Sequence, residues 1–187
     1  IESMLEEADR LTRLVDRLLL VSRADSGELR LTLETIHLGK LADEVAALLG
    51  ILAEEKHQVM LVEHASHPKC RGDQVTLRQA VINLVDNAIR YTPVGGTIRL
   101  RISESAAHAM LEVRDTGSGI PENDQLRVFD RLYRGTHGVD ATGSGLGLSI
   151  ARWAVEANHG ELTYERPRGQ GSVFRINLPL ESSPTST

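Results

Sequence analysis

The chain has 187 residues, 41% of them hydrophobic, a formal net charge of −5 and one cysteine. That length suffices for a real core, as one domain of ordinary size with an extra element. The acidic balance argues against a nucleic-acid partner, the single Cys70 has no partner for an intrachain disulfide and so points to a reducing cytoplasm, and no apolar run reaches the length of a membrane span.

Ile1, Met4, Ala8, Leu11, Val15 and Leu18 step by three and four residues, a heptad seam. Leu5, Leu14, Leu19, Leu20 and Val21 widen it towards a helix with neighbours on two sides. The helix is expected to stop at Ser26-Gly27, about 36 Å long at 1.5 Å per residue. Such a rod does not bury its stripe alone, and a partner helix from a second copy or from sequence beyond this chain is expected. The chain opens abruptly inside this pattern, as a fragment of a longer protein would. Leu29, Leu31 and Leu33 then alternate with polar residues, which predicts a strand. Leu41, Val45, Leu48, Leu49 and Leu52 predict an amphipathic helix, followed by a short strand around Val59–Val62 and a loop from His64 to Arg71. Gly72 is read as a turn and Asp73 as the N-cap of the next helix.

That central helix carries the first chemistry. Wound at 3.6 residues per turn, Leu77, Val81, Ile82, Leu84, Val85, Ala88 and Ile89 share one half. Gln79, Asn83, Asp86, Asn87, Arg90 and Tyr91 share the other. Two asparagines at i and i+4 are weak helix formers in mid-helix. Their amide carbonyls are neutral oxygen ligands suited to a magnesium ion that also takes phosphate oxygens. Taken alone, the stretch fits an ordinary solvated face equally well.

The helix ends at Thr92-Pro93 and Gly95-Gly96 turns the chain. Ile98, Leu100 and Ile102 face one way on a strand; Leu111 and Val113 do so on a returning one, and counting on by two puts Asp115 on the same buried face. A buried carboxylate needs donors, and the exocyclic amine of adenine is one. The glycines of Asp115-Thr116-Gly117-Ser118-Gly119-Ile120-Pro121 would let a flat ring approach the backbone, although a plain tight turn has the same composition. Phe129 and Tyr133 suit either core packing or anchoring the near end of a lid over Tyr133–Thr142, and Arg134 either a terminal phosphate or a surface charge. Gly143-Ser144-Gly145-Leu146-Gly147 opens a helix continuing through Ile150, Ala154 and Val155, where free backbone N–H groups favour an anion. It is neither a Walker A sequence nor a Rossmann fingerprint. Leu162 and Tyr164 mark one short strand, Phe174, Ile176 and Leu178 another, and 181–187 is a polar tail expected to be disordered. The order predicts an α+β fold, a two-layer arrangement of a mixed, mostly antiparallel sheet with helices on one face.

In combination these motifs carry a resemblance. Asn83–Pro93 resembles the asparagine box of bacterial sensor histidine kinases, Asp115–Pro121 their first glycine box, Phe129–Arg134 their phenylalanine box and Gly143–Ile150 their second glycine box, in the family's order and spacing. Residues 1–27 resemble the second helix of the family's dimerisation and phosphotransfer domain, and 28–180 the catalytic domain. The resemblance implies the Bergerat ATP-binding fold. It implies that Asn87, with Asn83, holds Mg2+, that Arg90 stands near phosphate, that Tyr91 lies against adenine and that Asp115 binds its amino group. Gly117, Gly119 and Ile120 belong to the same pocket. Arg134, Gly143, Ser144, Gly145, Leu146 and Gly147 belong to the phosphate end, and Ser172, after Gly171, reaches the adenine pocket. The implied partners are ATP, a histidine-phosphotransfer domain and a response regulator, with a homodimer through the N-terminal helix and no membrane contact by this stretch.

One departure bears on mechanism. None of His37, His57, His64, His67, His108, His137 or His159 has the context of the family's phosphoacceptor, a histidine followed by an acidic residue, then Arg and Thr or Asn with Pro. The expectation is a chain that binds Mg-ATP and delivers the γ-phosphate to a histidine elsewhere, without phosphorylating itself. Two other readings stand beside it: an ATP-hydrolysing relative of the same fold, disfavoured because Asn83 replaces the glutamate base, and a non-catalytic ATP-binding dimerisation module.

Overall fold

The computed structural model describes residues 30–133 and 145–181. The expected N-terminal rod, the 181–187 tail past its first residue, Arg134, Gly143 and Ser144 lie outside the described residues. The elements are β1 (Glu34–His37), α1 (Leu38–Glu55), β2 (Val59–His64), β3 (Lys69–Gly72), α2 (Gln74–Tyr91), β4 (Thr97–Glu104), β5 (His108–Asp115), α3 (Glu122–Gln125), α4 (Gly147–Ala157), β6 (Glu161–Glu165) and β7 (Val173–Pro179).

Five strands form one mixed sheet in the order β2-β4-β5-β7-β6, in which only the β2–β4 pair is parallel. Alternation sets its faces. Ile98, Leu100 and Ile102 of β4 are wholly buried, as are Leu111 and Leu178, while Arg99 and Arg101 point outwards. The buried face meets Leu41, Ala42 and Val45 of α1, Leu77, Val81, Leu84 and Val85 of α2, and Ala151, Ala154 and Val155 of α4 in one core. Aliphatic side chains dominate it, and Phe174 is its one fully buried aromatic ring among the described residues. The predicted two-layer α+β arrangement is the one observed.

Three local expectations are corrected. Of the strand expected over Leu29–Leu33, Leu29 lies outside the described residues and residues 30–33 are not in a strand; β1 begins at Glu34 and takes its register from β3, pairing Ile36 with Cys70. That pairing also turns part of the loop expected from His64 to Arg71 into β3, and puts Gly72 in a strand rather than a turn. On α1 the apolar residues that the core covers are Leu38, Leu41, Ala42, Val45, Leu49 and Ala53, and Leu48 and Leu52 are left exposed.

The central helix is fixed at its N-terminus by a buried polar network. Asp73 caps α2, its Oδ1 accepting the Thr76 amide at 2.9 Å and its Oδ2 the Thr32 amide at 2.8 Å. Asn158, with no exposed surface, ends α4: its Oδ1 accepts the Asp73 amide at 2.6 Å, and its Nδ2 donates to Thr76 Oγ1 and to the Ala154 carbonyl. A Cβ on Gly72 would sit 2.9 Å from Asn158 Oδ1, so glycine there leaves room for the amide. Asn158→Ala leaves the buried Asp73 N–H without its acceptor and takes a donor from the Thr76 hydroxyl and the Ala154 carbonyl, and equilibrium urea unfolding is expected to show a loss of about 2–4 kcal/mol. Burial raises the Asp73 carboxyl, but the amide and hydroxyl donors of Thr76 and the amides of Thr32 and Val75 together outweigh it and hold the group below 3.8. Its stabilisation is therefore present above pH 3.8 and is lost as pH falls through the lowered value. Asp73→Asn is expected to flatten the acid limb of a stability–pH curve.

Candidate functional site

The site forms where the C-terminal half of α2 meets the loop after β5. β5 runs out of the core with its alternation intact, so Asp115 arrives on the buried face, 4% exposed. Burial pushes its carboxyl above the ordinary value of 3.8. The Gly117 and Ser172 amides, donating to Oδ1 at 2.8 and 3.1 Å, and the Ser172 hydroxyl pull the other way. Ser172 is itself buried, and its carbonyl accepts the Asp115 amide.

Glycines make this convergence possible. A Cβ on Gly117 would lie 2.4 Å from the Tyr91 carbonyl and 2.9 Å from Asp115 Oδ1, so the end of α2 and the carboxylate press on the same point. Gly171, at φ +105°, packs so tightly on β5 that a Cβ would fall 1.9 Å from the Asp115 carbonyl oxygen. Gly119, at φ +71°, faces the Gly171 carbonyl in turn. Ile120 half-buries its side chain against the core and gives its amide to Tyr164 Oη at 3.1 Å.

Along α2, Asn83 is not on a solvated face. It is 4% exposed, its Oδ1 accepts from Gln79 Nε2 at 3.2 Å, and its Nδ2 is buried without a partner. The physical reason is that α4 packs on α2 and covers more of the helix than its apolar half. An orphaned buried amide costs stability unless something else uses it. As placed, that end is the NH2, a donor for a phosphate oxygen; turned over, the amide offers its carbonyl to a metal ion. Asn87 and Arg90 are half-buried further along the helix, and the Tyr91 side chain is about half exposed at its end. Among the described residues no group of three or more His, Cys, Asp or Glu side chains is placed to hold a metal.

At the other glycine stretch, Gly145 at φ +69° packs against the backbone of Leu132 and Tyr133, where a Cβ would come within 2.8 Å. Leu146 is buried and its carbonyl takes the Ile150 amide and the Ser149 hydroxyl as α4 begins at Gly147. Phe129 and Tyr133 do not act as a pair. Phe129 meets Phe174 edge-on at 6.3 Å in the core, while the Tyr133 hydroxyl donates to buried Asp124 at 2.6 Å.

A sequence profile described as histidine kinase-, DNA gyrase B- and HSP90-like ATPase matches residues 72–182, spanning α2, the Asp115 loop and α4 through β7. The chain belongs to that ATPase family. The sensor protein kinase PmrB of Pseudomonas aeruginosa is 34% identical over 96% of this chain, and the sensor protein IrlS of Burkholderia pseudomallei is 34% identical over 98% of it. The chain spans 37% and 39% of the length of those two relatives. Among solved structures, full-length ShkA in complex with AMPPNP superposes with a TM-score of 0.85 at 27% identity, covering 97% of this chain and 38% of that one. The catalytic domain of the histidine kinase ThkA superposes at 0.71 with 26% identity, covering 80% and 98%. The fold is thus that of histidine-kinase catalytic domains, and within the described residues no helix is long and apolar enough to cross a membrane.

Gly171 entered the sequence reading only as the neighbour of Ser172, and its close approach to β5 belongs to the tertiary structure. Tyr164 and Gln58 gave no local signal, because each acts on backbone distant in sequence. Asp115→Asn removes a carboxylate whose ionised form burial disfavours. The sign follows: a raised acid weakens the fold as pH rises through the carboxylate range, so at neutral pH the variant is expected to melt no lower than the parent, by calorimetry.

Proposed function

We propose that this chain binds Mg-ATP and donates the γ-phosphate to a histidine on a separate phosphotransfer domain, as the catalytic part of a two-component sensor kinase. The observation that carries this reading is the shared contact point at Gly117, which joins the asparagine-bearing helix and the buried carboxylate in one site. In it, Asp115 accepts the adenine amino group beside Gly117, Gly119, Ile120 and Ser172, with Tyr91 along the ring. Asn87, with Asn83, is assigned to the magnesium ion, which when bound neutralises phosphate charge, and the Asn83 amide, turned over, would offer its carbonyl there. Arg90, Gly145, Leu146 and Gly147 are assigned to the phosphate end, together with Arg134, Gly143 and Ser144. The protein's work is positioning and electrostatics. The P–O bond to ADP breaks as a P–N bond forms on the acceptor imidazole. Asn83 is not a base for water, which favours transfer over hydrolysis. The names of the relatives and the AMPPNP held by ShkA support the same reading. A response regulator and a homodimer through residues 1–27 complete the proposal.

Two measurements test it. Calorimetry with Mg-ATP is expected to give saturable heat, with affinity falling at least about tenfold in Asn87→Ala and in Asp115→Asn, each about 1.4 kcal/mol or more. Incubation with radiolabelled Mg-ATP and a phosphotransfer domain bearing its histidine is expected to put acid-labile label on that domain and none on this chain. No heat, or label on this chain itself, overturns the reading.

A further inference from the structure

We propose that Gln58, which lies outside the nucleotide site, is a positioning residue for it, holding the last turn of α2 against the Asp115 loop. The inference rests on the nucleotide-binding reading above. The last turn of a helix leaves carbonyls without intrahelical donors. In α2 the carbonyl of Ile89 would ordinarily accept the amide four residues on, but that residue is Pro93, which has no N–H. Gln58 Nε2 supplies the missing donor, reaching the Ile89 carbonyl at 2.9 Å and the Thr92 carbonyl at 2.5 Å, with Lys56 Nζ also on Ile89 at 3.3 Å.

The backbone on either side of Gln58 grips the same turn. The His57 carbonyl accepts the Gly95 amide and the Val59 amide donates to Gly96, both at 2.9 Å. His57 adopts φ +53°, a left-handed conformation that side-chain-bearing residues rarely take, as the chain leaves α1. Gln58 is 5% exposed and its Oε1 is buried without a partner. An apolar side chain of equal length would avoid that orphaned atom. What the apolar side chain lacks is the pair of donors.

Those donors act where the site has no slack. The two carbonyls flank Arg90 and Tyr91, and the Tyr91 carbonyl is the atom on which Gly117 closes beside Asp115 Oδ1. On the adjoining turn, a Cβ on Gly96 would lie 2.4 Å from Thr92 Cγ2 and 2.9 Å from Thr116 Oγ1, and the Thr97 amide donates to that same Thr116 oxygen at 2.9 Å. A displaced α2 terminus therefore moves Gly117 and the carboxylate with it.

The test separates donors from bulk, using the full chain. Gln58→Met keeps the length and removes the donors; Gln58→Lys keeps donors on a stem one methylene longer; Gln58→Leu, also donor-free, replaces the first should it not fold. By calorimetry, the donor-free variant is expected to bind Mg-ATP and ADP more weakly by the same factor, about tenfold, because the disturbed end serves both ligands. Gln58→Lys is expected to recover to within about threefold of the parent. Equal affinity in the donor-free variant, or a lysine variant as weak as it, overturns the proposal. If the parent itself bound no nucleotide, the functional reading would fail, and the Gly117 amide resonance would still decide the linkage: a shift in the donor-free variant supports it and an unmoved resonance refutes it.

Discussion

A single buried carboxamide, Asn158, joins the two helices on which the site is built. Its oxygen accepts one N–H from Asp73 and its NH2 donates to one hydroxyl and one carbonyl, with no solvent to compete. In a low-dielectric interior each of those bonds is strong and each loss leaves an expensive orphan. The N-terminus of α2 is thereby tied to the C-terminus of α4. Since α4 begins at the second glycine stretch and α2 ends beside Asp115, the same amide sets how the two ends of the site face one another.

The opposite end of α2 depends on packing without side chains. Gly117 closes on the Tyr91 carbonyl beside the Asp115 carboxylate, Gly119 closes on Gly171, and Gly171 packs on the Asp115 main chain so tightly that no other residue fits without moving β5. Burial raises the energy of the ionised Asp115, and two amides and a hydroxyl offset part of it. A carboxylate held in this condition favours a ligand that brings a further donor. In the proposed function the adenine amino group is that donor.

The kinship with gyrase- and HSP90-like ATPases places these features in a fold that supports more than one reaction. Here the buried position one turn before Asn87 is Asn83, an amide that donates and accepts hydrogen bonds but does not take a proton from water.

Much of this was readable from one dimension. Period-two alternation determined β4 and β5 and put Asp115 on the buried face, and the Asp73 cap and the Thr92-Pro93 stop bounded α2, because these depend on neighbours in sequence. Tertiary structure alone decided that Asn83 is buried, that Lys69–Gly72 is a strand and that Leu48 and Leu52 stay exposed, since each follows from what another segment covers or pairs with. It also decided the roles of Gln58, Asn158 and Tyr164. The partners that give them those roles lie 31 to 85 residues away, the Ala154 carbonyl beside Asn158 apart, and no local pattern encodes a hydrogen bond across that distance.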